Sequence, residues 1–115
     1  MNNWTETEIA FRCQRLAVRM ERLVQHLSRL GSLSMQGIDK GTVLSILRES
    51  KSFLELTAID LDIDSAFELS QMQRQLSRWH IHWDETWNSD ANRQEISALC
   101  LKWVNRIQEM SIVLV

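Results

Sequence analysis

Proline is missing from the chain, and glycine occurs only three times, at Gly31, Gly37 and Gly41. The two residues that interrupt helices most strongly are thus confined to one short stretch, and long helices are predicted on either side of it. Also missing is any run of about 18 apolar residues able to span a bilayer. The first residues, MNNWTETE, are polar and acidic and lack the apolar segment of a secretory signal, so a cytoplasmic protein with no membrane partner is expected. Cysteine occurs twice, at Cys13 and Cys100. Both fall at apolar positions of predicted helices, where a free thiol acts as a small hydrophobe, and no disulfide is implied. No serine nucleophile elbow, glycine-rich phosphate loop, CxxC pair or HExxH helix occurs. A non-enzymatic chain with no cofactor is the resulting expectation.

What is present suits one folded unit. With 115 residues, 44% hydrophobic and 24% charged, the chain fits a single domain over 1–115 and neither a disordered tail nor a fibrous repeat. The formal net charge is −2, yet charge is segregated. Arginines outnumber lysines ten to three, and five arginines lie between residues 12 and 29. The stretch from Glu55 to Glu68 carries Glu55, Asp60, Asp62, Asp64 and Glu68 with no basic residue. One chain therefore holds a basic strip and an acidic surface able to neutralise it.

Four helices are predicted. The first starts at Thr5, where Thr5 and Glu8 make a T-x-x-E capping box, and ends before Gly31. Along it Ile9, Cys13, Leu16, Met20, Leu23, Leu27 and Leu30 alternate by four and three, forming one apolar seam. After a loop over residues 31–41, the second runs from Thr42 to Ile59, with an interruption at Ser50, Lys51 and Ser52 that leaves open a split into two pieces. The third is capped by Asp64 or Ser65, carries Leu69, Met72, Leu76, Trp79, Trp83 and Trp87, and ends at the turn Asn88 to Asp90. The fourth, capped by Asp90 or Asn92, carries Ile96, Cys100, Trp103, Ile107, Met110 and Leu114. Matched lengths and apolar seams point to an all-α fold, a four-helix bundle with up-down-up-down topology. A homodimer is expected as well. Residues Ser111 to Val115 are apolar all round the helix, and Phe11 and Val18 stand away from the seam, so one core does not use all the apolar area.

The candidate binding residues are Arg12, Arg15, Arg19, Arg22 and Arg29, which with His26 form a cationic stripe beside the first seam. The planar five-donor fork of arginine suits an anionic surface, so the leading expectation is an interaction or regulatory protein that meets an acidic protein partner through a helix face or this edge. A nucleic acid is the alternative partner, disfavoured by the negative total charge. A third reading makes the arginines internal struts that pair with acids on neighbouring helices.

Other constellations are weaker. Trp79, Trp83 and Trp87 would suit a flat ligand, but Trp79 and Trp83 continue the leucine seam and are read as core rings with their indole N–H bonded at the bundle edge. His80 and His82 lie about 200° apart on a helix and cannot share a metal ion. Asp60, Asp62 and Asp64 resemble the opening of an EF-hand loop, yet Ser65 stands where its glycine would be and Gln71 where its closing glutamate would be. No metal is expected. Finally, Arg74 and His80 form an Arg-x5-His spacing, and Arg19 and His26 an Arg-x6-His spacing, that resemble the short motif of HEPN-type ribonucleases, small helical bundles in which two subunits join their motifs. That resemblance implies a ribonuclease using His80 for acid–base chemistry. It covers two residues, and Gln75 follows Arg74 where the family favours Asn, Asp or His.

Overall fold

The computed structural model describes residues 4–113, and the apolar end at Leu114 and Val115 lies outside them. Among the described residues every regular element is helical: α1 (Glu6–Arg12), α2 (Leu16–Gln36), α3 (Lys40–Ala58), α4 (Ile63–Ile81), α5 (Trp83–Trp87) and α6 (Asp90–Val113). The four predicted helices become six because the first and the third each break once.

Thr5 caps α1 with the predicted box, its hydroxyl accepting from the Glu8 amide while the Glu8 carboxylate accepts from the Thr5 amide. The chain then turns through Cys13, Gln14 and Arg15. In an unbroken helix Phe11 would stand well off the seam that Met20 and Leu23 continue. The break lets it bury completely, stacked on Phe53 of α3 with ring centroids 3.9 Å apart, and leaves Ile9 and Cys13 exposed instead. A large aromatic ring gains more from burial than the residues it displaces. Phe11 is therefore core, not spare surface for a second copy.

Gly31 does not end a helix. α2 continues to Gln36 and closes on Gly37, whose left-handed backbone (φ 68°) lets its amide donate to the Leu33 and Ser34 carbonyls. The loop predicted over 31–41 shrinks to residues 37–39. Gly31 marks the crossing of α2 and α6, where a Cβ would lie 3.1 Å from Cys100 Cβ and 3.6 Å from the Ser97 backbone. Absence of a side chain there sets how closely the two backbones approach.

α3 is one continuous helix, since Ser50 sits fully buried in its inward face and interrupts nothing. The cap of α4 is Asp62, which accepts from the Ser65 amide at 3.1 Å; hydrogen bonds from Ser65 hold its carboxyl below the usual range. His82 ends α4 with φ −107° and ψ 37°, and α5 follows in a new direction. Ser89, and not Asp90 or Asn92, caps α6 by accepting from the Asn92 amide at 3.2 Å.

The core gathers around α2. Met20, Leu23, Leu27 and Leu30 are fully buried, and α2 packs on α3 through one side of this ridge and on α6 through the other. α4 packs on α3, α1 also rests on α3, and α5 bridges α4 and α6. α4 and α6 scarcely approach one another backbone to backbone. They meet instead through long side chains, Trp79 against Trp103 with ring centroids 5.8 Å apart.

Replacing Gly31 by leucine forces a side chain into the α2–α6 crossing and is expected to cost about 1–3 kcal/mol. Gly41, with nothing within 4 Å of its added Cβ, is expected to gain up to about 1 kcal/mol on replacement by alanine, which urea denaturation followed by circular dichroism measures for both. Burial pushes the Cys100 thiol up to about 12, whereas Cys13 is exposed. An aromatic disulfide reagent at mildly alkaline pH should therefore titrate Cys13 alone in the native protein and both thiols in denaturant.

Candidate functional site

The cationic stripe is mostly turned inward. Arg19, 5% exposed, donates Nε to the Gln14 carbonyl at 3.1 Å, and its Nη1 to the Leu56 carbonyl at 2.7 Å and Asp60 Oδ2 at 2.8 Å. It thus ties together the carbonyl opened by the α1–α2 break, the end of α3 and the acidic turn beyond it. Arg12 reaches the same Asp60 oxygen at 2.5 Å. Arg22 lies over the Phe53 ring, 5.8 Å from its centroid, and His26 packs edge-on against that ring with Nε2 3.5 Å from Glu49. Arg15 and Arg29 are exposed, and no hydrogen bond or ion pair engages either side chain among the described residues. The Arg12–Asp60 pair is open to water and contributes little. The buried guanidinium of Arg19 leaves a carbonyl without a donor when removed. Arg19→Met should therefore destabilise by about 1.5–3 kcal/mol, while Arg15→Ala and Arg29→Ala stay within about 0.5 kcal/mol, as read from denaturation midpoints.

The concave surface lies elsewhere, where α4 and α6 part. They run antiparallel, with Glu68 facing Arg106 and Trp79 facing Trp103, and between them opens a groove of about 660 Å³. Its floor is apolar: Met72 is buried, Leu99 and Trp103 are partly buried, and Phe67 stands 60% exposed at one end. The charges on its walls are unequal. Arg106 holds both oxygens of Glu68 through Nε, at 3.1 and 3.0 Å, and Glu109 through Nη1 at 3.1 Å. These bonds raise its already high pKa. One guanidinium thus occupies both carboxylates of the groove. Arg78, bonded to the Gln75 side chain at 3.3 Å, and Lys102 have no carboxylate partner among the described residues. The groove keeps surplus positive charge in a chain that is negative overall.

The other sequence candidates separate. Trp79, Trp83 and Trp87 are buried, the first two as read, but the Trp83 indole N–H finds no hydrogen-bond partner among the described residues. His80 turns toward Arg48 and Lys51 of α3, whereas His82 is the exposed corner before α5. Arg74 and His80, six residues apart on one helix, point about 120° apart around its axis, and no hydrogen bond joins them among the described residues. Asp60 serves Arg12 and Arg19, and Asp62 serves as a helix cap. Among the described residues no group of three His, Cys, Asp or Glu is placed to hold a metal ion, and no helix is long and apolar enough to cross a membrane.

The groove residues Phe67, Arg78, Leu99 and Lys102 were not singled out from the sequence. One signal was there: Ile63 and Phe67 sit one turn apart on α4, off the seam of Leu69, Met72 and Leu76, and both are exposed. Compared with protein families, with characterised proteins and with solved structures, the chain matches none of them.

Proposed function

We propose that the protein is a non-enzymatic interaction module, and that an amphipathic helix of a partner protein with acidic flanks docks between α4 and α6. The observation that supports this reading is an apolar floor left open along two antiparallel helices, the shape used in helix-in-groove recognition. The choice of an acidic partner follows from Arg78 and Lys102, which lack carboxylates in a groove whose third cation is already shared between two. In this reading α2, α3, α4 and α6 are the four rods of an up-down-up-down bundle left open along one edge, and α1 and α5 are short pieces split from it. The basic strip is a poorer surface for an acidic protein or a nucleic acid, because Arg12, Arg19 and Arg22 are engaged inside the chain. A ribonuclease site of the Arg74 and His80 kind is not favoured, since His80 is turned to Arg48 and Lys51 and stands about 120° around α4 from Arg74.

A homodimer through Ile63 and Phe67, exposed one turn apart on α4 with Phe67 lining the groove, is the competing use of this surface. The two uses separate in one experiment. A labelled helical peptide with leucines at i, i+3, i+4 and i+7 and glutamate flanks is expected to bind, by fluorescence anisotropy, at least about tenfold more tightly than its lysine-flanked twin. Phe67→Asp should abolish that binding, and Arg78→Glu with Lys102→Glu should invert the preference. Equal binding of the two peptides, or indifference to Phe67→Asp, rejects the groove as a partner site. A sedimenting dimer that Phe67→Asp dissociates, with neither peptide bound, assigns the surface to a second copy instead.

A further inference from the structure

On the other side of α4, away from the groove, three basic groups converge on one spot. Lys51 Nζ lies 3.1 Å from His80 Nδ1, and Arg48 Nε donates toward His80 Nε2 at 3.4 Å. A neutral imidazole has one N–H and one lone pair, whereas an ammonium and a guanidinium only donate. The ring can accept from one of the two cations, and the other is left facing an N–H. A protonated ring would accept from neither. No carboxylate forms an ion pair with Arg48 or Lys51 among the described residues: on the same helix Glu49 is turned to His26, and Glu55 pairs with neither cation. The cluster as it stands cannot satisfy its own donors.

Two hollows flank it, of about 370 and 250 Å³, and Arg48 and His80 line both. Trp83 lines the larger one, and its buried indole N–H is without an acceptor. Arg48 and Lys51 share one ring as their acceptor, and the carboxylates at the rims of the hollows, Glu55 and Glu85, pair with neither, so the chemistry these two cations lack is an acceptor carrying negative charge.

We propose that Arg48, Lys51 and His80 form a binding site for a phosphate group, either inorganic phosphate or the phosphate of a small monoester. A tetrahedral oxyanion offers separate oxygens to the guanidinium, the ammonium and the ring N–H, replacing a donor-to-donor contact with charge-assisted hydrogen bonds. The site is independent of the α4–α6 groove and stands whether or not a helix docks there.

Occupancy has an electrostatic signature. The His80 pKa lies below its ordinary value because the ring is partly buried and because Lys51 and Arg48 repel its proton. The remaining charged or titratable groups at this corner are Glu55 on α3, which lines the smaller hollow, and His82 with Asp84 and Glu85 of α5, which line the larger; Asp84 is held by Lys40 at 2.6 Å. An anion between the two cations removes the repulsion and favours the protonated ring, so its binding and the uptake of a proton by His80 reinforce one another.

The test is an NMR titration of labelled histidine side chains at constant ionic strength, in chloride, in inorganic phosphate and in glycerol phosphate, with His26, which lines neither hollow, as the internal reference. In phosphate the His80 midpoint is expected to rise by about one pH unit while that of His26 stays put. In the Arg48→Ala, Lys51→Ala double variant the midpoint should be higher already in chloride and no longer respond to phosphate. A response to inorganic phosphate alone assigns the free ion as ligand, and a response to glycerol phosphate at lower concentration assigns the monoester. An His80 titration identical in all three salts overturns the proposal, as does a phosphate response that survives in the double variant or that His26 shares.

Discussion

A single apolar ridge on α2 has to serve two neighbours, and the way it does so determines where every other helix can go. Met20, Leu23, Leu27 and Leu30 lie between α3 and α6, and Gly31 lets α6 cross almost in backbone contact. α3 is then committed on one face to α2, and α4 can bury its own seam only on the far side of α3. The result is that α4 and α6, the two outer helices, are held apart by the pair between them. Only long side chains span the distance: the tilted Trp79–Trp103 pair and the Arg106–Glu68 bridge. The groove is thus a consequence of core geometry, with no need for a segment specialised to make it.

Arg19 is the second constraint. Breaking a helix after Arg12 exposes backbone carbonyls that an unbroken helix would have bonded, and a buried carbonyl without a donor is costly. The guanidinium supplies donors to the break, to the last turn of α3 and to Asp60 together, so the turn between α1 and α2 is tied to the turn between α3 and α4. The stacked rings of Phe11 and Phe53 do the apolar half of that task. Segregation of charge along the chain, basic near residue 19 and acidic near residue 60, is therefore used to join distant segments.

Much of this architecture was legible in the sequence, and the parts that were not share a cause. The capping box at Thr5 and Glu8, the seam from Met20 to Leu30 and the apolar positions Ile96, Cys100 and Ile107 follow from local periodicity and local hydrogen bonds, and they stand as read. The breaks at Cys13–Arg15 and at His82 are invisible to periodicity, because the three-and-four rhythm runs straight through both. They are decided by tertiary gain, Phe11 reaching Phe53 in one case and α5 turning to lie along α6 in the other. Gly31 was misleading for the same reason: a glycine at a close crossing and a glycine at a helix end look alike until the partner helix is known. The arginine stripe was visible as a stripe, but which members point inward depends on where α3 lies. The groove belongs to two helices at once, so neither α4 nor α6 announces it alone.

The geometry of unpartnered charge sets the His80 corner apart from the rest of the molecule. Arg15, Arg29 and Arg74 stand exposed without an ion pair among the described residues, while several other cations are answered within the fold: Arg12 and Arg19 by Asp60, Lys40 by Asp84, Arg93 by Asp90, Arg106 by two glutamates. Arg78 and Lys102 on the groove, and Arg48 and Lys51 at the His80 corner, are not. For an isolated surface lysine this means little, because water solvates it well. At the His80 corner the cations instead face one another across a ring that can serve only one of them, and burial has already lowered the ring's readiness to take a proton. Such an arrangement repels itself in the empty state and is relieved by a negative ligand. Folding energy alone gives no reason to assemble it, since replacing Lys51 by a neutral side chain would remove the conflict without disturbing the packed face of α3.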